Sequence, residues 1–342
     1  MFSFSLLSVA SLYCLFLVCG FALAPEVYAK NEPGIYVADN SFVADLSPDK
    51  TSSVSSTATS SKKEVANKAS DVAAATKDKA KGKISNRCID SSGANLKFRQ
   101  IYVKNQTGLQ IDLQKELLKA PKIKIESGSS PQVLIVHTHT TECYMMEERG
   151  YYTDSDKTRS LKDSENVVAV GNVLTENLNK KGISTIHATE KHDYPEYNGS
   201  YNRTEQTIKK YLKKYPSIKV VIDLHRDSVT DDKGTKSALV TNINGKKAAQ
   251  LMLVSGCQSG NVTDFPNWRE NFRLAIRLQQ TMEVLYPSLS RPILFTSRRY
   301  NQHLTTGSLL IECGTEANTL DQAKYSAELL ADCLASTLNT LK

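Results

Sequence analysis

Val133-Leu134-Ile135-Val136-His137-Thr138-His139-Thr140-Thr141-Glu142 is the stretch on which the reading of this chain turns. Four consecutive apolar residues fit a strand buried on both faces, and the polar run behind them marks its carboxyl end. Outward from it the pattern alternates. Val167, Val168, Val170, Gly171, Leu174 and Leu178 have helical spacing, and Gly182 supplies the stop signal. Residues 183–186 read as a strand. Residues 204–215 read as an amphipathic helix with a basic face, ended by Pro216. Residues 219–224 and 251–254 are strands, 267–286 a long helix stopped by Pro287, 309–311 a buried strand and 317–340 a final helix. Strands alternating with such helices predict an α/β fold, a mixed and largely parallel sheet flanked by helices on both faces.

In open sheets of this kind ligands sit beyond the carboxyl ends of the strands. Three ends here carry ionisable groups: 133–136 runs into His137 to Glu142, 219–224 into His225-Arg226-Asp227, and 309–311 into Glu312. The chain has six histidines, and three of them occupy two of these ends, which is more concentrated than a scatter of surface histidines. Two imidazoles and one carboxylate make an open zinc site with a fourth position for water, and a further carboxylate serves as general base and acid. His139, Glu142 and His225 supply the ligands, and Glu312 the base. The H-x-x-E spacing of His139 and Glu142, a distant His and a distant Glu resemble the order of the zinc carboxypeptidases.

Other readings stand beside these. His137 is an orienting group behind the site or an alternate ligand. Glu165, at a helix start beside Asp163 and Ser164, complements the helix dipole or takes the place of Glu142. Arg226 and Asp227 pair with each other, or Arg226 binds a substrate carboxylate with its fork of donors. His187 and His192 read as satisfied histidines, and His303 lies in a polar loop. No G-x-S-x-G elbow, Walker loop or G-x-G-x-x-G follows a strand, and Cys143 lacks the signatures of a cysteine protease.

The front of the chain is different in kind. Residues 1–24 hold no charged side chain, and as a helix they would span about 30–36 Å, the thickness of a bilayer core. They read as a transmembrane anchor, or as a signal segment cleaved near Ala24 or Ala29. This is the only long apolar run, which excludes a multi-pass membrane protein. Residues 25–92 are rich in Ser, Thr, Ala and Lys and read as a disordered tether. Within 61–83, seven lysines face three acids, a large part of the net charge of +7. Such a run is a solvated linker, or holds the segment near anionic lipid or wall polymer, and is no nucleic-acid signal. Residues 93–342 remain as one catalytic domain, ample for a full core. The seven cysteines include no C-x-x-C spacing and are expected as unpaired thiols.

VLIVHTHTTECY (133–144), ENVVAVGNVLTENLNKKGISTIH (165–187), HDYPEYNGSYNRT (192–204), YPSIKVVIDLHRDSV (215–229) and GSLLIECGTEANTLDQA (307–323) together resemble the stage II sporulation protein P family. The resemblance covers nearly all of residues 95–342, with several unrelated motifs in the right order, and the anchor and tether suit it. It implies a membrane-anchored peptidoglycan hydrolase of endospore-forming bacteria. That family is related to the zinc N-acetylmuramoyl-L-alanine amidases, which this chain resembles at SENVV, DLH and LLIECG. The resemblance implies amidase and also endopeptidase activity on stem-peptide crosslinks, with zinc as cofactor. It implies work on peptidoglycan during engulfment, alongside stage II sporulation proteins D and M, between mother cell and forespore membranes. The amidase pattern maps the carboxylate ligand to Glu165, the carboxypeptidase pattern to Glu142, and the compact HTHTTE run favours Glu142. Arg226 with Tyr201 or Arg203 is expected to hold the peptide. The rivals are a zinc peptidase acting only on wall peptides and a non-catalytic wall-binding module.

Overall fold

The computed structural model describes residues 79–342 apart from Ser127. The expected anchor over 1–24 and most of the expected tether lie outside the described residues. Among the described residues no helix is long and apolar enough to cross a membrane.

In chain order the elements are β1 (Gly82–Arg87), β2 (Leu96–Phe98), β3 (Ile101–Asn105), α1 (Leu113–Leu118), β4 (Val133–Val136), β5 (Tyr151–Tyr152), α2 (Val167–Lys180), β6 (Thr185–His187) and α3 (Ser200–Lys214). They continue with β7 (Val220–Asp227), β8 (Lys236–Ile243), β9 (Lys246–Ala249), β10 (Leu251–Gly256), α4 (Trp268–Leu285), β11 (Ile293–Thr296), β12 (Ser308–Thr315) and α5 (Leu320–Asn339). The main sheet has the order β2-β3-β11-β10-β12-β7-β4-β6. Only the β2–β3 and β10–β12 pairings are antiparallel, so the sheet is mixed and largely parallel.

Side-chain alternation along the strands divides the interior. Val133 and Ile135 of β4 join Val220, Ile222 and Leu224 of β7 in the core that α2, α4 and α5 cover. Leu134, Val136 and Val221 point the other way and pack with Ile208 of α3. Both faces are thus sealed, which is why β4 reads as an unbroken apolar run. Each such Leu, Ile or Val contributes about 1.5–3 kcal/mol by leaving water. The helices begin and end on local chemistry. The Asn166 side chain accepts from Val168 N at 2.9 Å to open α2. Gly182, at φ +75°, closes it with Ile183 N donating to Leu178 O at 3.0 Å. Thr319 and Gln322 form a reciprocal capping box for α5.

Two features depart from the sequence reading. Folded structure begins before residue 93: β1 pairs in parallel with β8 and antiparallel with β5, in a second sheet ordered β5-β1-β8-β9. Residues 82–92, which the sequence reading gave to the tether, therefore carry folded structure. And β7 and β12 run on to Asp227 and Thr315, so His225, Arg226 and Glu312 lie inside strands rather than in the loops after them.

Candidate active site

Because β7 continues, strand alternation decides what its polar residues face. Val221, Asp223 and His225 share the α3 side, while Arg226 takes the opposite side with Leu224. On β12, Leu309, Ile311 and Cys313 belong to the main core, which leaves Glu312 on the α3 side. The register sets Glu312 opposite His225. The turn after β4 delivers the other two groups: Glu142 N donates to His139 O at 3.1 Å, and Glu142 O accepts from Val167 N at 2.9 Å. Glu142 Oε2 then stands 3.5 Å from His225 Nδ1 and accepts from Arg226 N at 3.2 Å. The His139 and His225 rings meet edge to face at 5.3 Å. All four side chains belong to residues no more than 5% exposed.

The alternates lie elsewhere. His137 carries on the other parity of β4: its Nδ1 lies 2.7 Å from Leu224 O and its Nε2 lies 2.7 Å from His187 Nε2, against α2. Gly171 makes room for that pair, since a Cβ there would come within 2.6 Å of His187 Nε2. The Glu165 carboxylate binds Lys162 Nζ at 2.9 Å and Ser160 Oγ at 2.8 Å on the surface. Arg226 is not placed to hold a substrate. It is buried, its Nη2 donates to Thr158 O at 2.8 Å and its Nε to Cys143 O at 3.3 Å. Asp227 pairs with Arg291 at 2.9 Å rather than with Arg226. Arg203 is likewise committed to carbonyls, of His192 at 2.6 Å and of Glu196 and Asn198 at 2.6 and 3.0 Å. It braces the segment that carries Tyr197. Tyr201 does face the site: its ring lies 5.8 Å from His139, and its buried hydroxyl has no hydrogen-bond partner among the described residues. His303 is 3.7 Å from Glu205. His192 is satisfied by His137 O at 2.7 Å and Thr207 Oγ1 at 2.8 Å.

A match to the family model of stage II sporulation protein P (SpoIIP) spans residues 26–335. The chain belongs to this family. Stage II sporulation protein P of Bacillus subtilis (strain 168) is 31% identical over 220 residues, covering 61% of this chain and 51% of that protein. The chain thus spans about half the length of this curated SpoIIP relative. Among solved structures, the N-acetylmuramoyl-L-alanine amidase AmiC2 of Nostoc punctiforme aligns at 11% identity and TM-score 0.35, over 63% of this chain and 98% of that one. An N-acetylmuramoyl-L-alanine amidase from Clostridium difficile 630 aligns at 16% identity and TM-score 0.35, over 62% and 97%.

Electrostatics in the SpoIIP-family site favour positive charge at His225. Burial alone would push the Glu142 carboxyl up, but Arg226 and His225 outweigh it and hold Glu142 ionised, well below its usual range. Burial brings His139 down to about 3, so its imidazole is neutral. For His225 burial is outweighed by Asp223 and Glu142, which raise it well above 6.5. One imidazole between two carboxylates must share a positive charge, as a proton or as a metal ion. Burial, then the Asp227 carboxylate, push Glu312 up to about 8, and its Oε2 has no hydrogen-bond partner among the described residues.

The donors suit zinc in kind. Two ligands on one tetrahedral zinc stand about 3.4 Å apart, each about 2.1 Å from the metal, against the 3.5 Å between Glu142 Oε2 and His225 Nδ1. Among the described residues no three His, Cys, Asp or Glu side chains already converge as a metal-holding group. The fit therefore rests on donor chemistry and the spacing of this pair. Cys143 and Cys313 are buried free thiols, pushed by burial up to about 11 and about 12, and are not nucleophiles.

Two residues escaped the sequence reading. Asp223 Oδ1 lies 2.9 Å from His225 Nε2, and the carboxylate is fixed by Thr138 N at 2.8 Å and Thr138 Oγ1 at 2.6 Å. The signal was present as D-x-H, which on a strand places both side chains on one face. Tyr197 stacks on His139 at 4.6 Å, its hydroxyl 3.1 Å from His139 Nε2. No local pattern marks it.

Proposed function

We propose that this chain is a zinc-dependent peptidoglycan hydrolase that cleaves the amide between the muramic acid lactyl group and L-alanine during endospore engulfment. The observation that carries the reading is the buried cluster of His139, Glu142 and His225, with Glu312 level with His225 on the same face. Membership of the sporulation family supports the setting.

His139, Glu142 and His225 would hold the metal. When bound, zinc supplies a Lewis acid and a water of pKa about 7. Glu312 takes the proton of the attacking water and passes it to the leaving amine, a role suited to a carboxyl lifted toward neutrality. Asp223 keeps the His225 ring in place through its Nε2 side, which leaves Nδ1 facing Glu142. Tyr197 fixes the His139 ring by stacking, and the Tyr201 hydroxyl is a donor available to the peptide. The same proposal places the head outside the cytoplasm, held through residues 1–24 and a tether, with the D and M sporulation proteins as partners. Endopeptidase cleavage of crosslinks would use the same groups.

The test is product mass analysis. The full chain is incubated with intact peptidoglycan, with zinc or with chelator. Free stem peptides and peptide-free glycan, lost with chelator and in Glu312→Gln, are expected. Cut crosslinks with peptides still on glycan would replace the amidase by a peptidase. Wall binding without any product would leave a binding module.

A further inference from the structure

We infer that Arg298, with Arg299 and Tyr300 beside it, forms a subsite for a free carboxylate of the substrate peptide, an inference that rests on the peptidoglycan-hydrolase reading of the neighbouring site. The segment after β11 crosses the α3 side of the sheet and is held by hydrogen bonds to α3 and β10. Tyr300 and Asn301 take left-handed backbone angles in succession, φ +46° and +54°, a region asparagine enters readily but a bulky residue such as tyrosine seldom does. The holding contacts are on both sides. Asn301 Nδ2 donates to Tyr201 O at 2.8 Å. The Gln302 amide accepts from Gly256 N at 2.8 Å and donates to Val254 O at 2.9 Å. Gly256 is required for the approach, because a Cβ there would lie 2.1 Å from Arg298 O.

This bracing aims the segment at the site. The Tyr300 ring packs 5.8 Å from Tyr201, whose own ring lies 5.8 Å from His139. Arg298 lies two residues before Tyr300 on this segment, and its guanidinium and the Glu312 carboxylate are both within electrostatic reach of the Tyr300 hydroxyl. The other arginines around the site are committed: Arg159 to Asp193 at 2.5 Å, Arg291 to Asp227 at 2.9 Å, Arg203 and Arg226 to main-chain carbonyls. Among the described residues neither Arg298 nor Arg299 forms an ion pair. Arg299 is felt by Glu205, which Lys209 already neutralises at 2.6 Å. A guanidinium fork with a tyrosine hydroxyl at its side matches the two oxygens of a carboxylate. Wall stem peptides carry such free acids unless they are amidated.

The test uses the full chain in detergent with Glu312→Gln, so that no turnover interferes, titrated by calorimetry with a muramoyl tripeptide and with its amidated twin. Removing one charge-assisted fork should weaken the free-acid peptide about tenfold to hundredfold in Arg298→Gln. The amidated peptide should bind that variant and its parent alike, and Arg298→Lys should recover part of the loss. Matching thermal melts show that the variants are folded. Equal weakening of both peptides, no weakening of either, no binding of either, or displacement of the acid peptide by inorganic phosphate would each overturn the inference. The hydrolase reading fails separately, by absence of wall products from the unsubstituted chain, and peptide binding remains measurable in that event.

Discussion

Mild acid should weaken the fold through His187, by an amount set by its place behind the site. His187 Nε2 is 2.7 Å from His137 Nε2, and His137 Nδ1 is 2.7 Å from Leu224 O. A carbonyl only accepts, so His137 carries its proton on Nδ1, its Nε2 accepts, and His187 donates from Nε2. The atom 2.9 Å from His187 Nδ1 is Asn172 Oδ1, so this neutral tautomer needs the amide turned over to donate. A further proton would put a charge on a largely buried ring. Burial, partly opposed by Asp163, accordingly brings His187 down to about 4 from 6.5. A lowered folded pKa means that the unfolded chain binds a proton the folded one refuses. The stabilisation is complete above 6.5 and is lost as pH falls toward 4. At pH 5.0, about 1.5 units below the unfolded value, one such imidazole removes about 2 kcal/mol. Urea unfolding at pH 7.5 and 5.0 reads this directly: His187→Gln should lose about 2 kcal/mol less than the unsubstituted chain between the two conditions. Histidine NMR should show His187 neutral down to pH 5, and zinc should shift His139 and His225 while leaving His137 and His187 in place. An unchanged pH slope in the variant, or a folded-state titration of His187 near 6.5, would refute the reasoning.

Asp223→Asn should lower zinc affinity about 10- to 100-fold in a chelator-competition assay, since it removes the carboxylate 2.9 Å from His225 Nε2; unchanged affinity would remove Asp223 from the site. Glu142→Gln should cost at least about tenfold in the same assay, whereas Glu165→Gln, whose carboxylate is held by Lys162 and Ser160, should cost nothing. Deleting residues 79–92 removes β1, and at about 1 kcal/mol for each ladder bond the loss should be a few kcal/mol, visible as a drop of several degrees in melting temperature. A melt unchanged by that deletion would mean that β1 adds nothing to the head.

What the sequence made legible follows from how completely each element is buried. β4 and α2 announce themselves because both faces of the strand and one stripe of the helix are sealed, leaving periodic apolar residues. β1 gives no such signal: it is mostly exposed, and its partner in β8 lies some 150 residues away. The polar residues of the site misled in a more specific way. His225-Arg226-Asp227 looks like a loop by composition, since buried charges are rare. Here each has a partner, His225 in Asp223, Arg226 in main-chain carbonyls and Asp227 in Arg291, so the ladder continues through them: Leu224 pairs with Ile311, His225 with Glu312 and Asp227 with Thr315. Alternation then applies to residues that a loop reading had exempted from it. With His225 fixed toward α3, Arg226 must face away, so it anchors Cys143 and Thr158 and is not free to hold a substrate. By the same period of two, Asp223 must face the way His225 does, and so stands behind it. Moving one strand boundary from 224 to 227 therefore accounts both for the arginine wrongly expected in the site and for the aspartate that was missed.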